Sequence, residues 1–205
     1  MPKKFDYFDY PKGRIPTYHP VINVVLFVDV VGFSKETTNA DMRKTIRKFE
    51  DAIDDLLEPH YFWNERKGHN DLIVIPTGDG FGIGFHPDID GKRILNIAAD
   101  LFRGLVDDNG FKIRIGMAKG PNIRFLDWNE TTNLFGFGIN LAKRVVDAAH
   151  SNQILVHEGF AKELLAGERN DDLVEIIEPR EIKHEGKIKV FNYYKPTEFG
   201  SAEPT

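Results

Sequence analysis

The chain has 205 residues, enough for one substantial domain that buries roughly 70% of its unfolded surface. Its composition, 41% hydrophobic and 29% charged, suits a globular protein, and a formal charge of −5 argues against nonspecific binding to a nucleic-acid backbone, which needs a basic face. With no cysteine, disulfides, zinc–thiolate centres and thiol catalysis are excluded.

The opening stretch, "MPKKFDYFDYPKGRIPTYHP", is polar, aromatic and broken by proline, and it lacks the continuous apolar core of a signal peptide. Residues 1–20 read as an arm that packs across the body or onto a partner subunit, or else as a loosely held terminus. No run approaches the ~18 apolar residues of a membrane span, so a cytoplasmic protein with no membrane partner is expected.

Residues 21–31, "VINVVLFVDVV", are a nearly unbroken apolar run rich in β-branched side chains, as expected of a buried central strand. After Gly32-Phe33-Ser34, a helix is predicted over 38–58, with Met42, Ile46, Phe49, Ile53, Leu56 and Leu57 on one face. "FWNERKGHND" (62–71) reads as a polar loop. Strands follow near 72–76 and 81–86, joined through Gly78-Asp79-Gly80. A second helix spans 90–107, carrying Ile94, Leu95, Ile97, Ala98, Leu101, Phe102 and Leu105, and a strand spans 111–118. "GINLAKRVVDAAH" reads as a helix, "QILVH" as a strand and "EGFAKELLAG" as a short helix. "DLVEIIEP" and "GKIKVFNYY" read as edge strands, and 195–205 as a tail. The seven histidines show no metal-ligand spacing, and Trp63 and Trp128 read as packing residues.

The order strand, helix, strand, strand, helix, strand is the ferredoxin-like βαββαβ arrangement, an α+β fold with C-terminal additions. That topology sets the end of the first strand beside the hairpin of the next two. Asp29 and Asp79, distant in sequence, would then face each other. An Asp-Gly pair alone is usually only a turn. Two carboxylates at adjacent strand ends, amid glycine and apolar residues, are poorly placed unless positive charge lies between them. Mg²⁺ or Mn²⁺ would supply it, since hard cations take oxygen ligands and two ions about 3.5–4 Å apart can steady both the attacking and leaving oxygens of a displacement. The backbone amides of the 30–34 loop are candidates for holding a triphosphate ahead of the helix, with Gly32 allowing close approach.

Four segments, "FVDVVGFS" (27–34), "TGDGFGIGF" (77–85), "IRIGMAKG" (113–120) and "NLFGFGINLAKR" (133–144), resemble the landmark segments of class III nucleotidyl cyclases, in order and at the usual spacing. The resemblance covers most of residues 21–194. It implies a homodimer with active sites shared across the interface, two Mg²⁺ or Mn²⁺ ions per site, and conversion of a nucleoside triphosphate to its 3′,5′-cyclic monophosphate and pyrophosphate. Asp29 and Asp79 match the metal-binding aspartates, with the Val30 carbonyl as a further ligand. Asn140 and Arg144 match the pair contributed by the other protomer: Asn140 to position the ribose, Arg144 to stabilise charge on the reacting phosphate. Gly32, Phe33 and Ser34 would hold the phosphates, Lys183 falls near the family's phosphate-binding lysine, and Arg114 would reach the triphosphate from its strand.

The chain departs from the family where the base is read. Adenylate cyclases usually carry Lys, and guanylate cyclases Glu, where this chain has Ile75. Asn133 replaces the Asp, Thr or Cys common in purine enzymes, and an amide offers a base edge both donor and acceptor. These departures, in a short chain without a sensor domain, resemble the pyrimidine cyclases of the bacterial Pycsar antiphage system. That implies cyclic UMP, or else cyclic CMP, made for a cyclic-nucleotide-responsive effector that is not bound directly. Two other readings stay open: a class III adenylate cyclase that reads its base through other residues, and a non-catalytic nucleotide-binding dimerisation module.

Overall fold

The apolar run forms β1 (His19–Val30), whose last eight residues are all buried. Unbroken burial arises because both faces of the strand are covered. Val24, Leu26, Val28 and Val30 enter one apolar cluster, while Val25 and Phe27 enter another on the opposite face. The computed structural model describes residues 18–33, 39–57, 63–64, 69–70, 72–127, 131–167, 173–175, 180–182 and 186–193. The arm before residue 18, the tail, Trp128, Ser34 and Lys183 lie outside the described residues.

After β1 come α1 (Asn39–Leu57), a two-stranded ribbon of β2 (Trp63–Asn64) and β3 (His69–Asn70), then the hairpin of β4 (Leu72–Pro76) and β5 (Gly80–Phe85). The ribbon lies within the stretch predicted as loop. Helix α2 (Gly91–Arg103) is capped by Asp90, whose side chain accepts the N–H groups of Lys92 and Arg93, and it runs on into one π-helical turn over 104–108. Then follow β6 (Ile113–Leu126), β7 (Thr132–Gly136), α3 (Phe137–Asp147), β8 (Gln153–His157) and α4 (Glu158–Gly167). The chain closes with β9 (Leu173–Glu175), β10 (Arg180–Ile182), β11 (Gly186–Ile188) and β12 (Val190–Tyr193).

The main sheet has eight strands in the order β4-β5-β1-β6-β8-β12-β9, with β7 paired to the far half of β6. Its first four strands are antiparallel and reproduce the expected ferredoxin-like order; β8 joins β6 in parallel. Helices α1, α2 and α4 cover one face, contributing Leu57, Leu101 and Phe160 among others. Phe49 of α1 stacks at an angle on Phe81 and Phe111, with ring centroids 5.8 and 5.4 Å apart. Helix α3 covers the other face through Leu141, Ala142, Val145 and Val146.

Three expectations are corrected. Strand β6 runs to Leu126 rather than ending at residue 118, because its far half is held by β1 and β7. Strand β7 was not anticipated. And β12 is no edge strand: it lies between β8 and β9, with all four residues buried. Among the described residues, no helix is long and apolar enough to cross a membrane.

Candidate active site

Side chains alternate along β1, so Asp29 shares the α3 face with Val25 and Phe27. It is 3% exposed, at the last-but-one position of the strand. Gly80 lies opposite it on β5 and Arg114 opposite it on β6. Gly80 is required by space as well as by the turn, since a Cβ there would come within 2.0 Å of the Val28 carbonyl oxygen.

Asp79 sits in the β4–β5 connection with its carboxylate side exposed. Its carbonyl accepts the Val30 N–H at 2.9 Å, and Thr77 N–H closes the turn on the Gly80 carbonyl at 3.1 Å. The topology thus ties Asp79 to the residue that follows Asp29, as the sequence order implied.

Asp29 is not left as a bare buried charge. Arg114 donates to its Oδ2 from Nε at 3.0 Å and also from Nη2, while Lys143 on α3 lies 3.7 Å from Oδ1. Lys143 is shared with Asp147, one turn further along α3, also at 3.7 Å. A buried carboxylate needs such partners. Arg114, expected on a triphosphate, is paired with Asp29. Lys143 was missed, although its place three residues after Asn140 in "NLAKR" puts it near the same helix face.

In the loop after β1, Gly32 has φ +86°, a left-handed conformation that glycine adopts without strain. Phe33 packs against the α1–α2 side of the core and Val31 is exposed. The amides of Val30 and Val31 are already engaged, by the carbonyls of Asp79 and Lys112. Any phosphate cradle here therefore begins at Gly32.

Helix α3 approaches β6 so closely that glycine is needed on both sides. A Cβ on Gly120 would meet Gly138 Cα at 2.8 Å, and one on Gly138 would meet the Asn122 amide nitrogen at 2.5 Å. Those contacts explain Gly138 of "NLFGFGINLAKR" and Gly120 of "IRIGMAKG". Asn140 is exposed on this helix, and Arg144 is partly buried one turn later. Ile75, on β4, is partly buried on the α3 side, and the Asn133 side chain accepts the Leu134 N–H at 2.8 Å. Strands β4 and β7 touch, so the two residues that depart from the cyclase pattern stand on neighbouring elements.

The oxygen donors at this corner, Asp29 Oδ1, the Asp79 carboxylate and the Val30 carbonyl, suit a hard divalent cation. Arg114 takes Oδ2 of Asp29, which leaves Oδ1 with Lys143 at an ion-pair distance of 3.7 Å. Among the described residues no cluster of three or more His, Asp or Glu forms, so an ion held here would complete its shell with water and substrate phosphate.

No protein-family model matches the chain, and no curated protein matches it by sequence. Solved structures do match in shape. The guanylate cyclase domain of RhGC from Catenaria anguillulae, solved with GTP, is 22% identical with a TM-score of 0.65, covering 85% of this chain and 97% of its own. The guanylyl cyclase Cya2 is 13% identical at a TM-score of 0.69, over 90% of this chain and 99% of its own. The adenylyl cyclase CyaB from P. aeruginosa is 14% identical at 0.66, over 89% and 98%. The chain has the fold of the class III adenylate and guanylate cyclase domains.

Proposed function

We propose that the protein is a nucleotidyl cyclase that forms a 3′,5′-cyclic monophosphate and pyrophosphate from a nucleoside triphosphate. The observation that carries this reading is the junction of Asp29 and Asp79: a buried carboxylate at the end of β1 and an exposed one linked to it through the 2.9 Å Val30–Asp79 backbone bond. Asp29, Asp79 and the Val30 carbonyl would hold two Mg²⁺ or Mn²⁺ ions, which when bound supply activation of the attacking 3′-oxygen and stabilisation of the leaving pyrophosphate.

The chain's own residues do the rest. Gly32, Phe33, Ser34 and Lys183 bind the triphosphate, and Arg114, paired with Asp29 on the neighbouring strand, stands within the same corner to contribute positive charge to it. Asn140 orients the ribose and Arg144 stabilises charge on the α-phosphate, both from a second copy of the chain. Exposed Ile22, Ile123, Phe135 and Phe137, on β1 and around β7, support a homodimer; Phe135 is 70% exposed and pairs with Ile123 across the strands.

The substrate we propose is UTP, with CTP next, because an apolar Ile75 and an amide at Asn133 stand where purine enzymes carry other readers. The product would then serve as a second messenger in antiphage defence of the Pycsar kind. The test is to incubate pure protein separately with ATP, GTP, CTP and UTP in Mn²⁺ and identify products by mass. Cyclic UMP or cyclic CMP supports the proposal. Cyclic AMP alone overturns the account of Ile75 and Asn133, and nucleotide binding without any cyclic product overturns the enzyme in favour of a binding module.

A further inference from the structure

Two of the asparagines buried on the α3 side of the sheet, with no part in the chemistry above, bond to each other: Asn23 on β1 at 2% exposure and Asn122 on β6 at 3%. They form a directed relay. Asn23 Nδ2 donates to the Phe85 carbonyl of β5 at 3.0 Å, Asn23 Oδ1 accepts from Asn122 Nδ2 at 2.8 Å, and Asn122 Oδ1 accepts the Ile139 N–H at 3.1 Å. Longer contacts run from the same amides to the Val24 and Gly120 carbonyls, both at 3.4 Å.

Ile139 is the third residue of α3, where a helix N-cap side chain normally bonds. The residue before the helix is Gly136, which has no side chain to provide a cap. Asn122 supplies it instead, from a different element, and Gly138 leaves room for it. The relay therefore runs β5, β1, β6, α3 and ends one residue before Asn140. A buried polar relay gains less stability than apolar packing of the same volume, but it fixes geometry more narrowly.

We propose that Asn23 and Asn122 are positioning residues: they set the first turn of α3, and with it Asn140, against the strand that bears Asp29. This rests on the cyclase reading above. Single changes to valine leave the other asparagine without its buried partner and destabilise the fold, so the informative variant is N23V/N122V, which removes both amides and leaves only the Phe85 carbonyl and the Ile139 N–H at the ends of the relay. The double variant is less destabilised than the sum of the two single losses, because the Asn23–Asn122 bond is lost only once. Its kcat falls by about tenfold or more with KM for the metal–nucleotide little changed. Hydrogen exchange at the Ile139 amide speeds up by about tenfold or more, a readout that needs no turnover.

Wild-type exchange at Ile139 in the double variant overturns the cap. Fast exchange there with wild-type kcat overturns the positioning role. If the unmodified protein turns over no nucleotide, the cyclase reading fails and positioning for catalysis fails with it. Fast exchange in the double variant would then still establish the cap, so the two failures are distinct.

Discussion

Arg114 and Asp29 stand directly opposite one another on β6 and β1, and the guanidinium places both of its hydrogen bonds on one carboxylate oxygen. Removing that carboxylate leaves a cation without its buried partner. Asp29→Ala is therefore expected to abolish turnover and also to lower stability by about 1–3 kcal/mol, less than for a fully buried pair because the Arg114 side chain is 29% exposed. Thermal melting and product assays on the purified variant check both effects. An unshifted melting curve would show that the ion pair contributes nothing to folding.

Asp79 is the contrasting case. Its carboxylate is exposed, and its tie to β1 runs through the backbone carbonyl, which alanine keeps. Asp79→Ala should stay within about 0.5 kcal/mol of the parent stability and lose turnover. Full activity in that folded variant would leave Asp79 a turn residue and nothing more.

If Arg144 acts on the site of the second copy, an Asp79→Ala chain and an Arg144→Ala chain fail at different sites. A heterodimer of the two retains one complete site. Mixing equal amounts of the two inactive variants should restore about a quarter of the parent rate, given random pairing of copies. Confirmed heterodimers with no turnover would argue that each chain uses its own Arg144.

Lys143 lies 3.7 Å from the oxygen of Asp29 that faces away from Arg114. A divalent ion and this ammonium compete for the same charge. Lys143→Met should bind Mn²⁺ about three- to tenfold more tightly in the absence of nucleotide, as titration calorimetry would show. Unchanged or weaker affinity would mean that Lys143 does not oppose metal entry.

His157 ends β8, and its Nδ1 accepts the Gly159 N–H in the first turn of α4. Burial holds its pKa below the ordinary 6.5; Glu158 raises it and Lys162 lowers it as smaller influences. The fold thus favours the neutral ring, which also keeps Nδ1 available as an acceptor. The stability it contributes is present above pH about 6.5 and is lost as the pH falls through the lower folded value. Glu158, held below its ordinary 4.5 chiefly by its hydrogen bond to Lys162, titrates outside that window. Melting temperature should fall from about pH 7.5 to about pH 5.5, and His157→Gln should flatten that slope. An equal slope in the variant would assign the dependence to other groups.

What the sequence revealed follows from which signals are local. Strand β1 was legible because a strand covered on both faces needs an unbroken apolar run, and α1 because Phe49, Ile53 and Leu56 recur at the helical period. The placement of the Asp79 turn beside the end of β1 followed from the order of elements alone. Strand β7 was hidden because only Leu134 among its five residues is buried, and its pairing depends on the distant half of β6. That half begins at Gly120-Pro121, and a proline has no donor to give a strand ladder. Yet Pro121 falls where β6 has left β8 and not yet met β7, a stretch that tolerates a missing donor. Lys143 reaches Asp29 through the rotation of α3 on the sheet, which residue spacing does not fix.

Strand β1 is pinned from both sides, with Asp29 opposite Gly80 on one edge and Arg114 on the other. Because neighbouring side chains point to opposite faces, the place of the carboxylate is a matter of parity along the strand. Losing a single residue upstream within β1 would keep nearly all of its apolar content while turning Asp29 toward the α1–α2 core, where Arg114 and Lys143 could not neutralise it. Within β1, therefore, only even changes of length keep Asp29 on the α3 face.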